Sequence, residues 1–299
     1  MNSKLHPELG AKRFTDVGQS TPIDDNDDGV IIIKPSNRIG RLGVPQVWEN
    51  KHLLKYFVLR SIRGRYRPTA MGYGWILFRP LLLCLVYVGV FGHMLGIKTD
   101  PIPFPLFVFL GISLYLFFSG TVSDTASSLA NNAGVMSKVY YPRLIVPLTA
   151  LFVNVMDLLA SFVVIVALMG VYGVYPSWNI VYFPLFLIGL TLASFTLGLV
   201  LAAHSIERRD IMMALPVIMR VMVYAMPCVY PISAVPEKLL TFYYANPMAS
   251  LIQGIRWSLW DEVAPPLWSV AWAVALIVVG LYYGLVAFTR AERTMVDSL

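Results

Sequence analysis

The chain has 299 residues and a formal net charge of +6, with apolar side chains at 57% of positions and charged ones at only 13%. Soluble domains carry roughly 25% charged residues, so this composition, with a mean hydropathy of +0.67, excludes an ordinary soluble domain and points to the bilayer. The positive balance does not call for nucleic acid, because the basic residues flank apolar runs, where they orient a membrane chain.

Residues 1–46 form a polar tail with an acidic cluster at Asp24, Asp25, Asp27 and Asp28 and no chemical motif. From Val47 to Tyr66, Leu53, Leu54, Phe57, Val58 and Ile62 recur at helical spacing, and Lys51, Lys55, Arg60, Arg63 and Arg65 supply a basic side. This predicts an amphipathic helix over 47–66 at the membrane surface, held by apolar burial and anionic lipid. A helix packed on a partner protein would show the same face. Pro68 and Gly72–Gly74 then mark the turn into the first span.

Spans of about 20 residues, the length a bilayer requires, are expected at 75–95, 104–123, 144–171, 181–203, 213–230 and 267–288. The expected fold is thus an all-α integral membrane protein with six transmembrane helices over 75–299. Six crossings put both termini on one side. Arg60, Arg63, Arg65, Arg67, Lys138, Arg143, Arg208, Arg209, Arg290 and Arg293 fall on that side, against Lys98, Lys238 and Arg256 opposite. The positive-inside rule makes it the cytoplasmic side.

Two cytoplasmic loops are candidate contacts. In the loop over 129–143, the piece Asn131–Tyr141 is closed by Pro142. With Asn131 and Asn132 at its start, it offers Val135, Val139 and Tyr140 to dock in a partner's groove and Lys138 and Arg143 to pair there. An ordinary inter-span loop reads the same way. Glu207, Arg208, Arg209 and Asp210 suit a protein contact or a solvated turn.

Ionisable residues inside spans cost about 2.5–3.5 kcal/mol on insertion scales, so each is a site candidate. Asp157 shares a face with Asn154 in the third span, and Arg220 lies in the fifth. Helical rise places Asp157 and Arg220 at depths that a long Arg side chain can bridge, so the favoured expectation is a structural role, either an Asp157–Arg220 pair or Arg220 against backbone carbonyls. The alternative is Arg220 facing a pathway and meeting an anionic group of cargo. Arg79 is expected to snorkel. Tyr87 and Phe91 lie one turn apart, and Tyr224 one turn beyond Arg220. Their rings and hydroxyls suit sugars, or serve as packing between spans.

The stretch Val229–Trp260 does not read as a span. It divides into Val235–Ala245 and Pro247–Trp260, each too short to cross. Pro236 suits a first helical position and Glu237 the positive end of the dipole, and Asn246 with Pro247 repeats the signal as cap and first residue. In the second piece Ile252, Ile255 and Leu259 share one face, with Gln253 and Arg256 turned away from it. The expectation is a re-entrant hairpin over 235–260 on the outer face, of the kind that survives only beside protein or a watery cavity. A surface amphipathic hairpin is the alternative.

There is no G-x-x-x-x-G-K-S/T loop, no H-E-x-x-H and no G-x-S-x-G. Cys84 and Cys228 lie inside apolar runs, and His6, His52, His93 and His204 are scattered. No metal site, resident cofactor or catalytic centre is expected, and no cleavable signal peptide, because the first apolar run comes too late.

Four ordered blocks then carry a resemblance. They are RGRYR at Arg63–Arg67 with GYGW at Gly72–Trp75 and Arg79–Pro80; NAGVMSKVYYPR at Asn132–Arg143; ERRD at Glu207–Asp210; and PCVYP at Pro227–Pro231 with Val235–Glu237, Asn246–Pro247 and Gly254–Arg256. From Val47 onward the chain resembles the membrane subunit of ABC-2-type exporters of lipid-linked polysaccharide, the permeases of O-antigen, capsule and teichoic acid. That family often has Gln where Arg79 stands. The resemblance implies a six-span homodimer in the cytoplasmic membrane, surrounded by lipid and paired with two copies of a separate ATPase that holds ATP and magnesium. It implies a coupling helix at Asn131–Tyr141, a gate at the hairpin and a lipid-linked glycan as cargo. An ABC-2-type exporter of drugs or small lipids is the alternative.

Overall fold

The computed structural model describes residues 44–136, 142–205, 208 and 210–297, and every regular element among them is helical. Among the described residues, five helical stretches are long and apolar enough to cross a membrane: Gly72–Met94, Phe104–Ala126, Ile145–Tyr172, Trp178–Ser205 and Leu267–Ala291.

The amphipathic segment is broken at Asn50 into α1 (Val44–Glu49) and α2 (Lys51–Tyr66). Its apolar residues Leu53, Leu54 and Phe57 pack on the core, and α2 lies along α6 (Ile145–Tyr172). Lys51, Lys55, Arg60 and Arg63 stay exposed. The first span is α3 (Trp75–Tyr87), continued by a π-helical stretch, Val88–Met94.

The centre of the bundle is α4 (Phe104–Ala126), which touches α3, α6, α7 (Phe183–Ser205) and α8 (Asp210–Met222). Apolar residues surround it on all sides, the pattern of a helix buried all round, and Leu106–Leu114 is buried without a break. After Ser127 the chain resumes as α5 (Ser128–Met136). The last helix, α11 (Leu267–Asp297), runs along α7.

The expected fifth span, 213–230, is not a continuous helix. It is the 13-residue α8 followed by turns over residues 223–230. Pro216 sits inside α8, and Pro227 can neither donate a backbone bond nor leave Met226 helical, so the helix stops short. The segment still runs from one end of the bundle to the other. At one end, Arg208 N–H bonds to the His204 carbonyl (3.0 Å) just before α8 begins. At the other lies the hairpin, α9 (Glu237–Ala245) and α10 (Pro247–Trp260). Its last turn meets the start of the α7 region, where Ser177 N–H donates to the Leu259 carbonyl (2.8 Å).

The second helix of the hairpin, α10, is folded into protein, whereas α9 is largely exposed, with Tyr244 its buried residue. Asn246 caps α10 by accepting from Met248 N–H (3.0 Å), with Pro247 as the first helical residue. Pro236 precedes α9, and Glu237 opens its first turn. Gln253 and Arg256 do not turn away to a polar surface. Both are 0% exposed, because α10 packs on α7 and α11 while the turns after α8 cover its remaining side.

Gly111 lets the turns after α8 and Arg256 approach α4. A Cβ on Gly111 of α4 would collide with the Cys228 carbonyl and sit 2.8 Å from Arg256 Nη2. Gly→Ala inside an ordinary helix gains roughly 0.5–1 kcal/mol. Here Gly111→Ala is expected to reverse that sign and cost about 1–3 kcal/mol, the range for overpacking. Thermal unfolding in detergent measures it, and an unchanged or higher Tm would contradict the close approach.

Candidate functional site

Four side chains meet the carbonyls that the broken fifth crossing leaves without helical donors. Tyr115 OH of α4 donates to the Met219 carbonyl. Tyr230 OH donates to Tyr224 O (2.8 Å), and Asn246 Nδ2 to Ala225 O (3.3 Å). Arg256 Nη2 donates to Cys228 O (3.3 Å) while its guanidinium lies 3.6 Å over the Phe107 ring, a cation–π contact. So two residues singled out as gate elements, Asn246 and Arg256, hold the irregular backbone. Beside them Gln253 Nε2 bonds to Val263 O (2.9 Å) and Glu262 Oε2 (3.3 Å). Burial pushes the Glu262 carboxyl above its usual range, against the pull of the Arg256 charge.

Where α8 ends early, a cavity of about 840 Å³ opens between α3, α4, α6 and α8. Tyr87, Arg220 and Tyr224 line it, as does Arg79. Phe91 does not, being in the π-helical stretch with its ring 5.8 Å from that of Tyr87. A second cleft of about 550 Å³ lies between the turns after α8 and the hairpin, with Tyr230, Pro236, Phe242 and Tyr243 on its walls. Tyr224 lines both spaces.

At one wall of the large cavity sits a polar cluster. Arg65 Nη2 pairs with Asp124 Oδ2 at 2.5 Å, and its Nη1 reaches Asp157 Oδ2 at 3.5 Å. Tyr66 OH donates to Asp157 Oδ2 (2.6 Å), and Asn154 Nδ2 to Asp124 Oδ2 (2.9 Å). Asn154 comes this close because Gly120 faces it, where a Cβ would lie 2.5 Å from Asn154 Oδ1. The expected Asp157–Arg220 pair is therefore corrected. The end of α2 reaches Asp157 from the α6 side and occupies it, leaving Arg220 on α8. Burial and the hydrogen bond to Asp157 push the Tyr66 phenol up to about 12, so it stays a donor at physiological pH. Depth matching along separate helices found Asp157 but could not see that the surface helix folds back onto it.

The candidate coupling residues fall partly outside the described residues: Lys138, Val139, Tyr140, Glu207 and Arg209 lie there. Asn131, Asn132 and the Val135 backbone are in α5, with Asn132 Nδ2 bonded to Ser128 O (2.9 Å). Arg143 is half-buried in the turn before α6, Arg208 is exposed, and Asp210 is exposed in the first turn of α8. Cys84 and Cys228 are buried free thiols. Among the described residues no cluster of His, Cys, Asp or Glu could hold a metal.

Long apolar helices around a polar, aromatic-lined cavity define a membrane-embedded protein of the transporter class. Residues 52–260 match the family described as ABC-2 type transporter, and the chain belongs to that family. It is 28% identical over 261 residues to the O-antigen export system permease protein RfbA of Myxococcus xanthus, covering 86% of this chain and 98% of that protein. It is 26% identical over 208 residues to an O-antigen export system permease protein RfbA of Klebsiella pneumoniae, covering 68% and 78%. With the polysialic acid transport protein KpsM of Escherichia coli it shares 19% identity over 241 residues, 80% of this chain and 93% of that one.

Removing Arg65 leaves two carboxylates facing each other without a counter-charge, which costs more than losing a surface ion pair. Arg65→Met is expected to raise amide hydrogen exchange across α2 several-fold, and Arg65→Lys to raise it less. Exchange in α2 that matches the wild type in Arg65→Met would show that the cluster does not hold the helix.

Proposed function

We propose that this chain is the membrane-spanning subunit of an ABC exporter that moves a lipid-linked polysaccharide across the cytoplasmic membrane. ATP hydrolysis on a separate subunit drives it. The observation that carries this reading is the pair of cavities that share Tyr224 as a lining residue, one among the helices and one beside the hairpin. Relatives named for O-antigen export and polysialic acid transport supply the cargo class. The sequence holds no phosphate-cradling loop, so nucleotide and magnesium belong to the partner.

In this reading the working unit is a homodimer with two ATPase subunits, and both termini are cytoplasmic. The loop over 129–143, with Asn131, Asn132, Val135, Lys138, Val139, Tyr140 and Arg143, meets the ATPase together with Glu207–Asp210. Motion there reaches the cavity because α5 follows directly on α4, the helix against which the broken crossing is held. Tyr87, Arg220 and Tyr224 contact the passing polymer. A Tyr ring suits the apolar face of a sugar and its hydroxyl the polar edge, and contacts must be weak and repeated for a polymer to slide. The hairpin residues Pro236, Glu237, Asn246, Pro247 and Arg256 shape the exit.

Deleting the gene is expected to remove a surface glycan and to accumulate its lipid-linked precursor inside the cell. Complementation with the wild-type chain should restore export. Tyr224→Ala, checked for membrane level and assembly with the ATPase, should restore it only in part. A deletion strain with unchanged surface glycan would contradict the cargo class, and full rescue by an assembled Tyr224→Ala chain would contradict the route through Tyr224.

A further inference from the structure

Two guanidinium groups in the large cavity remain once its carboxylates are assigned. Asp124 and Asp157 are occupied by Arg65, Tyr66 and Asn154. Arg79 of α3 and Arg220 of α8 line the same cavity, and among the described residues neither has an ion-pair or hydrogen-bond partner. Tyr115 of α4 lines the same cavity, and its hydroxyl is already committed to the Met219 carbonyl, so it does not neutralise either charge.

Snorkelling does not account for both. Arg220 lies about 15 Å along α8 from Asp210, deeper than its own side chain can reach back. An uncompensated cation at that depth is costly, and ionisable groups there mark pathways. Two like charges in one cavity repel each other unless an anion joins them. Guanidinium forks bind phosphate and carboxylate oxygens through paired N–H donors.

We propose that Arg79 and Arg220 form an oxyanion-binding subsite in this cavity, taking a phosphate or carboxylate group of the exported molecule. The subsite rests on the export reading for its role, whereas oxyanion binding itself does not require transport. The oxyanion has two sources, a phosphate on the lipid anchor or an acidic group of the polymer.

The test uses the full-length chain, co-purified with its ATPase, in phosphatidylcholine nanodiscs. Geranyl diphosphate is compared with geraniol, and trigalacturonate with maltotriose, by thermophoresis. The wild type is expected to prefer at least one anionic probe over its neutral analogue by about tenfold or more, as charge-assisted paired bonds allow. Preference for geranyl diphosphate assigns the anchor, and preference for trigalacturonate assigns the polymer. Arg79→Gln and Arg220→Gln should each reduce the preference several-fold, and the double variant should abolish it. The Arg79→Lys/Arg220→Lys chain should keep part of it, and 0.5 M salt, where the screening length is about 4 Å, should weaken it in the wild type.

Three results would overturn the subsite: no anion preference in the wild type, a wild-type preference insensitive to salt, or an assembled double Gln variant that keeps the preference. If the Gln variants do not assemble, the wild-type preference, its salt response and the Lys variant decide the matter. Export after gene deletion bears on the transport reading alone, so the two can fail separately.

Discussion

A backbone buried among membrane-spanning helices must have its polar groups satisfied within the protein, and residues 213–230 of this chain do not form a continuous helix that would do so. Pro216 and Pro227 withdraw two donors, and helix α8 ends at Met222. Irregular backbone at such depth is tolerated only within protein or beside a watery cavity. Both conditions are met here. Met226, Cys228 and Val229 are buried, and Tyr115, Tyr230, Asn246 and Arg256 supply side-chain donors to the carbonyls along the segment. Gly111 opens the space in α4 that lets the Cys228 carbonyl approach.

The rest of the architecture follows from that break. A full-length helix at α8 would lie along the bundle as a closed wall. The short helix and its turns instead line a cavity with aromatic and charged walls, which shares Tyr224 with the cleft beside the hairpin. The hairpin holds the broken segment through Asn246 and Arg256, so movement of α9 and α10 would be felt along the crossing. At the other wall the Arg65–Asp124–Asp157 cluster ties α2 to α4 and α6. The segment that reads as a surface helix is thereby linked to the cavity lining.

Much of this was legible in the sequence. The long apolar runs over 104–123, 144–171, 181–203 and 267–288 correspond to helices, since twenty apolar residues in a row have few other solutions. Asn246–Pro247 marks the start of α10 because a cap and a proline act locally. What could not be read depends on neighbours distant in sequence. Hydropathy over 213–230 counts apolar residues and is blind to the breaks that two prolines introduce. Arg256 sits at a position that helical spacing assigns to a polar face, yet α4, α7 and α11 bury it. Asp157 stood out as costly, but its partners, Arg65 and Tyr66, lie 92 and 91 residues away.

On the proposed function, exported glycan passes through the cavity among α3, α4, α6 and α8. Photo-crosslinking amino acids placed at Leu83 and Leu116, which line it, and at Val163, which is exposed on α6 away from it, test this directly. In cells actively making the glycan, irradiation followed by purification of the chain should yield glycan adducts at positions 83 and 116 and none at 163. Adducts at 163 with none at the two cavity positions would contradict the account.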